Sequence, residues 1–226
     1  MINYGIVGCG MMGREHIRNI SLLPNSRIAG IFEPNKEMRR LAKSIAPEAI
    51  FFESLKDLVT KTTLDCIVIA TPNFCHINDL CEIGEHIEVP ILLEKPVVTK
   101  IEDIKKITYF EKNYAAPIWV AMEYRYMPPL QEFIRKADKI TGGVRMLSIR
   151  EHRYPFLKKV DNWNRFNKFS GGTFVEKCCH FFDLMRLINS ANPTQIMAIG
   201  SQAYNHLDES YNGIKPNIWD NGYVIV

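Results

Sequence analysis

The stretch "YGIVGCGMMG", Tyr4 to Gly13, decides the fold: an apolar strand pattern runs directly into G-x-G-x-x-G, with Gly8, Gly10 and Gly13 at the fixed positions. Glycines at these points permit a tight turn, close approach of the backbone to a pyrophosphate, and close helix packing. The helix that follows offers its first N–H groups to the phosphates. Met11 and Met12 open that helix, so Gly8, Gly10, Met11, Met12 and Gly13 are the expected first contacts of a dinucleotide. An acid, Glu33, closes the next apolar run, "IAGIFEPN", twenty residues after Gly13. Its carboxylate can accept hydrogen bonds from ribose hydroxyls and would repel a 2′-phosphate, which favours NAD over NADP. Arg39 and Arg40 lie nearby and could counter that charge, but on "KEMRRLAKS" they read as a solvated helix face.

Outward from this stretch, short Val- and Ile-rich runs alternate with segments of helical period, the pattern of βαβ units and a parallel sheet. Candidate strands are Tyr4 to Val7, Arg27 to Phe32, Asp65 to Ala70, Ile91 to Glu94 and Ile118 to Met122; helices are expected to start near Met11, Lys36, Ser54, His76 and Ile101. The rhythm stops near "MEYRYMPP", residues 122–129, where a Pro-Pro pair opens a new helix. This divides the chain into a Rossmann domain, 1–121, and a partial α+β domain, 122–226, for substrate binding and oligomerisation. The expected order in the second is a helix to about Lys139, a strand "VRMLSIREHRY" (144–154), a Trp- and Asn-rich loop, a helix over "GGTFVEKCCHFFDLM" (171–185), and strands near Gln195–Ile199 and Tyr223–Val226. The last apolar run, "GYVIV", has no partner strand after it, so an unpaired sheet edge is expected.

A chain of 226 residues is long enough for two modest cores. Its hydrophobic fraction of 46% and charged fraction of 23% are those of a globular protein and exclude disorder. The formal charge of +3 is dispersed, which gives no reason to expect a nucleic-acid or membrane partner. The first residues lack a signal-peptide pattern and no apolar run could span a bilayer, so a cytoplasmic location is expected. The six cysteines form no CxxC pair and read as reduced, buried thiols.

Two further strands end in short polar signatures. "DCIVIATPNFCH" closes on Thr71, Pro72 and Asn73 with His76 just beyond, and "ILLEKPVV" closes on Glu94, Lys95 and Pro96. In an open parallel sheet, ligands bind beyond the carboxyl ends of the strands, so both signatures are expected at the cofactor crevice with the glycine loop. The apolar strand before Lys95 and the proline after it hold that cation in a fixed place.

The glycine motif, "TPN" with His76, "EKP", "YRYMP" and "SGGTFVEKCCHFFD", in this order, resemble the Gfo/Idh/MocA family of nicotinamide-dependent oxidoreductases, and the resemblance runs over essentially the whole chain. It implies a Rossmann domain followed by an α/β domain with an open, largely antiparallel sheet. It also implies hydride transfer between NAD(P) and a sugar, polyol or inositol-like compound, and a homo-oligomer when the full second domain is present, since members continue with further strands that often pair subunits. By the same resemblance the catalytic lysine falls on Lys95, and the carboxylate and histidine of the family pattern fall on Glu176 and His180. The inositol dehydrogenase pattern has aspartate where this chain has Glu176.

On a continuous helix Glu176 and His180 stand at i and i+4 on one face, while Lys177 and Cys178 point elsewhere. That arrangement suits a general base oriented by a carboxylate, with Lys95 stabilising the developing alkoxide. Adjacent cysteines cannot both face one metal from a regular helix, and no second Cys/His cluster exists, so no metal site is expected. Asp183 reads as a helix anchor. Substrate contacts are expected from Arg153 and Tyr154 of "IREHRYPF" and from Trp163 and Asn164 of "VDNWNRFN". Competing readings are a catalytically silent NAD-binding sensor and an NAD-assisted glycoside-cleaving enzyme.

Overall fold

The computed structural model describes residues 1–226 and divides into two compact units, Met1–Ala121 and Met122–Val226. In the first unit, six parallel strands are ordered β3-β2-β1-β4-β5-β6: β1 (Ile2–Val7), β2 (Ser26–Phe32), β3 (Ile50–Phe52), β4 (Cys66–Ile69), β5 (Ile91–Leu93) and β6 (Ile118–Val120). The strand order reverses between β1 and β4, which opens a crevice at the carboxyl edge. The register makes that edge level. Val7 lies opposite both Phe32 and Ile69, and Ile69 opposite Leu93. The residues that follow, Gly8, Glu33, Ala70 and Glu94, therefore leave the sheet along one line.

Alternation along the buried strands fills both faces. Val7, Ile67, Ile69, Ile91 and Leu93 pack with Leu55, Leu58, Val59, Leu80 and Ile83, carried largely by α3 (Leu55–Lys61) and α4 (His76–Gly84). Ile6, Ile31 and Val68 pack on the other face with Ile17, Ile20 and Ala42 of α1 (Met11–Ser21) and α2 (Lys36–Ile45). The sequence reading missed β3, the edge strand of the sheet. The helix expected from Ile101 begins as a 3₁₀ turn and becomes α5 at Ile104–Asn113. No helix of the chain is long and apolar enough to cross a membrane.

The first α-helix of the second unit is α6 (Pro128–Thr141). Its two prolines sit in the first turn, where backbone N–H groups lack helical partners anyway, and it ends on Gly142 in the left-handed conformation at φ 70°. The expected strand at 144–154 does not form. Strand β7 (Met197–Ser201) pairs only with β8 (Asn221–Ile225), antiparallel, with Met197 opposite Ile225, and neither accepts a third ladder. Leu147 and Ile149 instead line a cleft of about 500 Å³ with Met127, Phe133 and Phe181. The expected single helix over 171–185 is also corrected. It is two helices, α8 (Thr173–Glu176) and α9 (Cys179–Asn189), with α7 (Asn167–Ser170) just before them. At the break the Cys178 N–H reaches back five residues to the Thr173 carbonyl at 3.3 Å, a slip in the ladder that ends regular i, i+4 stacking.

Candidate active site

In the first unit, the glycine loop is shaped by what each glycine would strike. Gly8 has φ +88°, and a Cβ there would lie 2.7 Å from the Thr71 nitrogen; a Cβ on Gly13 would lie 2.0 Å from the Gly8 carbonyl oxygen. A Cβ on Gly10 would meet nothing within 4 Å. Gly8 thus serves the turn, Gly13 the packing of α1, and Gly10 leaves open space at the start of α1, where no side chain caps the helix. The first-turn N–H groups of a helix have no acceptor within it, and such a helix start favours an anion.

The loop is held rigid from below. Glu33 is only 6% exposed; its carboxylate accepts from the Cys9 N–H at 2.6 Å and the Asn35 N–H at 2.7 Å. Arg14 donates to the Cys9 carbonyl at 2.7 Å. The acid expected at the ribose is therefore also the clamp of the glycine loop, and its remaining lone pairs can still accept hydroxyls. Burial, with the Glu33 charge beside it, pushes the Cys9 thiol up to about 12. Arg39 is more than a solvated charge. It donates to the Phe51 and Phe52 carbonyls and pairs with Glu53 at 2.7 Å, while Arg40 pairs with Glu37.

At the other two strand ends, two of the expected cofactor contacts also make buried structural bonds. His76 is fully buried. One ring nitrogen lies 2.7 Å from the Pro96 carbonyl and the other 2.9 Å from the Thr71 carbonyl, so the imidazole braces "TPN" against "EKP" from beneath. Glu94 is buried too, with its carboxylate 2.7 Å from His16 Nε2 on α1. Burial works to raise this acid, and the His16 hydrogen bond with the His16 and Lys95 charges outweighs it, holding Glu94 below the usual carboxylate range. Thr71 donates its hydroxyl to Asp79 at 2.6 Å, and burial pushes Asp79 up to about 6. Asn73 is buried and Lys95 half-buried at the level edge.

In the second unit, His180 is 2% exposed and stacks on Tyr124 with ring centroids 4.5 Å apart. The carboxylate at its Nε2 is Glu123 Oε1, 3.4 Å away. Tyr124 and Glu123 come from the 3₁₀ turn Glu123–Tyr126, and sequence reasoning gave neither a role. Lys177, expected to point elsewhere, sits over the Tyr124 ring with its ammonium 4.6 Å from the centroid, touches the Tyr124 hydroxyl, and lies 3.4 Å from Glu151. Glu176 is half-buried at the end of α8. Asp183 anchors α9 through a two-point ion pair with Arg125. No three His, Cys, Asp or Glu side chains gather as a metal site.

Of the expected substrate contacts, Arg153 pairs with Glu151 at 3.2 Å and Tyr154 is 91% exposed, both on the strandless segment. Trp163 is half-buried in the 3₁₀ turn Val160–Arg165. Asn164 is 1% exposed and donates to the Leu157 carbonyl. Beside it, Arg165, which sequence reasoning passed over, is buried against Glu209 at 2.8 Å.

Known proteins give these features a setting. Residues 2–122 match a family model described as an oxidoreductase family with NAD-binding Rossmann fold, and residues 137–225 match the C-terminal alpha/beta domain of the same family. The rhizopine catabolism protein MocA of Rhizobium meliloti is 26% identical over 205 residues, covering 88% of this chain and 60% of that protein. Inositol 2-dehydrogenase of Rhizobium meliloti strain 1021 is 26% identical, covering 87% and 58%. The crystal structure of myo-inositol dehydrogenase from Lactobacillus casei in complex with NAD(H) and myo-inositol superposes with a TM-score of 0.75 at 17% identity, over 99% of this chain and 63% of that one, and shares the fold. The chain thus spans about three-fifths of the length of these relatives. On the two matched domains, the chain belongs to the Gfo/Idh/MocA oxidoreductase family.

Proposed function

We propose that the protein is an NAD-dependent dehydrogenase acting on a CH–OH group of a sugar, polyol or inositol-like compound. The observation that carries this reading is the opening at Gly10, on the uncapped start of α1 at the point where the strand order reverses. In this reading the backbone of Gly8, Gly10, Met11, Met12 and Gly13 holds the pyrophosphate, Glu33 the ribose, and Thr71, Pro72, Asn73 and the "EKP" turn flank the cofactor. The nicotinamide, when bound, supplies the hydride acceptor. Arg39 and Arg40, committed to other partners, leave Glu33 unopposed, which supports NAD over NADP.

His180 is assigned the hydroxyl proton: its ring is fixed by the Tyr124 stack and has a carboxylate at Nε2. Lys95 is assigned to the oxygen on which negative charge develops. Glu176 is assigned as a second acidic neighbour of the reaction, and Arg153, Tyr154 and Trp163 as substrate contacts. The substrate class rests on relatives named for inositol and rhizopine. The test is a measurement of NAD and NADP dissociation constants, followed by NADH formation across a panel of polyols and sugars. Tighter binding of NAD and NADH formation with one of them are expected; a protein that binds neither nucleotide would overturn the reading.

A further inference from the structure

We infer that His16 is a positioning residue for Lys95, acting through the buried carboxylate of Glu94. The inference rests on the assignment of Lys95 to the reacting oxygen. His16 stands on α1 one turn after Gly13, on the helix that begins at the glycine cradle, and its Nε2 lies 2.7 Å from Glu94 Oε1. The other carboxylate oxygen of Glu94 accepts the N–H of Lys95 itself at 3.3 Å, and the Glu94 N–H donates to the Ile69 carbonyl at 2.9 Å. On the far side, the Pro96 carbonyl is held by His76. Lys95 therefore lies between two residues, each fixed by a histidine from a different helix: α1 after the glycine loop, α4 after "TPN".

A buried carboxylate that loses its partner does not stay in place. It must take up a proton or swing toward water, because an uncompensated charge in a low-dielectric setting is costly. Either response alters the acceptor on which the Lys95 N–H rests. His16 has no role in the glycine turn: the space that admits a pyrophosphate is made by Gly8, Gly10 and Gly13. Loss of His16 should therefore disturb Lys95 far more than it disturbs the cofactor cradle.

The test uses His16→Ala, His16→Gln and His16→Asn, with three readouts: NAD affinity by calorimetry, kcat and KM, and the rate at which an amine-directed acylating reagent labels Lys95 in protein without nucleotide, followed by peptide mass spectrometry. His16→Ala is expected to lower kcat about tenfold or more and to change the Lys95 labelling rate severalfold, while the NAD dissociation constant stays within about threefold. Glutamine, which is long enough to donate to Glu94, should recover much of both. Asparagine, one methylene shorter, should not, and this pair decides the matter if the alanine variant does not fold. In His16→Ala/Glu94→Gln, removal of the stranded charge should restore Lys95 labelling toward that of the parent. A folded His16→Ala protein with parental labelling and kcat, or glutamine and asparagine variants that behave alike, would overturn the inference. If the parent shows no turnover, the dehydrogenase assignment fails, and the labelling arm still decides whether His16 positions Lys95.

Discussion

The two units hold their functional side chains by different means. In the first, a level sheet edge delivers four loops to one line, and three of them are pinned by polar side chains: the glycine loop by Glu33, the loop at Thr71 by Asp79 and His76, and the loop at Glu94 by His16. In the second, His180 stands on a helix, α9. Its ring is held by a stacked tyrosine, and its helix carries the Arg125–Asp183 ion pair and the buried Leu184. A ladder fixes many backbone groups at once, so in the first unit the heaviest stability costs should fall where a substitution strikes backbone. A side-chain network concentrates the burden on a few groups, so single substitutions in the second unit should be felt in function before they are felt in stability.

The largest effect expected is on turnover. His180→Ala should reduce kcat by about 10²–10⁴-fold with little change in melting temperature; a protein that instead melts early and keeps its rate would mean that the stack is structural only. Next come the glycines. Gly13→Ala places a methyl group against the Gly8 carbonyl oxygen and should cost about 3 kcal/mol or more, read by chemical denaturation. Gly10→Ala meets nothing in the protein and should leave stability within about 0.5 kcal/mol while weakening NAD binding at least tenfold. Equal destabilisation by both would break the reading of Gly10 as a cradle. Asp183→Ala should cost about 1–2 kcal/mol, since Arg125 is partly exposed and can turn to water.

The smallest expected effect separates the units by pH. Burial pushes Asp79 up to about 6, so its contribution to stability is full below the ordinary 3.8 and is lost as pH rises through about 6. Glu209 and Asp220 go the other way. Burial opposes them, but hydrogen bonds from His206, Arg165 and Tyr211 to Glu209, and from the Ala203, Asn205 and Tyr204 N–H groups to Asp220, bring each down to about 2. Their contributions are complete above the ordinary 4.5 and 3.8 and are lost as pH falls toward about 2. Hydrogen exchange at pH 7, 5 and 3 should show the first unit gaining protection between pH 7 and 5 and the second losing it between pH 5 and 3. Asp79→Asn should abolish the first change, and Asp220→Asn should reduce the second.

The first unit was legible because a parallel sheet buried on both faces writes itself as β-branched runs, and because the glycine spacing states a backbone geometry. Within it, the bonds that His76 and Glu94 make inside the protein carried no local signal. Position at a strand end says that a residue is near the crevice, not which way its side chain turns, and the partner of Glu94 lies 78 residues away on α1. In the second unit, the alternation in "VRMLSIREHRY" indicates which side chains share a face but not whether a neighbouring strand exists to pair with. The helix over 171–185 looked continuous because nothing in "EKCC" breaks a helix by propensity. The slip at Cys178 is a matter of local hydrogen bonding. Tyr124 and Lys177, 53 residues apart, carry no local signal that they meet.

Cys9 occupies the middle of the glycine motif, yet its thiol is raised to about 12 by burial and by Glu33. The thiolate, the form that peroxide and alkylating agents attack, is therefore strongly disfavoured there at neutral pH. Cys9 is buried while the other five thiols are half-buried, so oxidative damage should reach those five before it reaches the glycine loop, a durability that the motif owes first to burial and then to the carboxylate beside it.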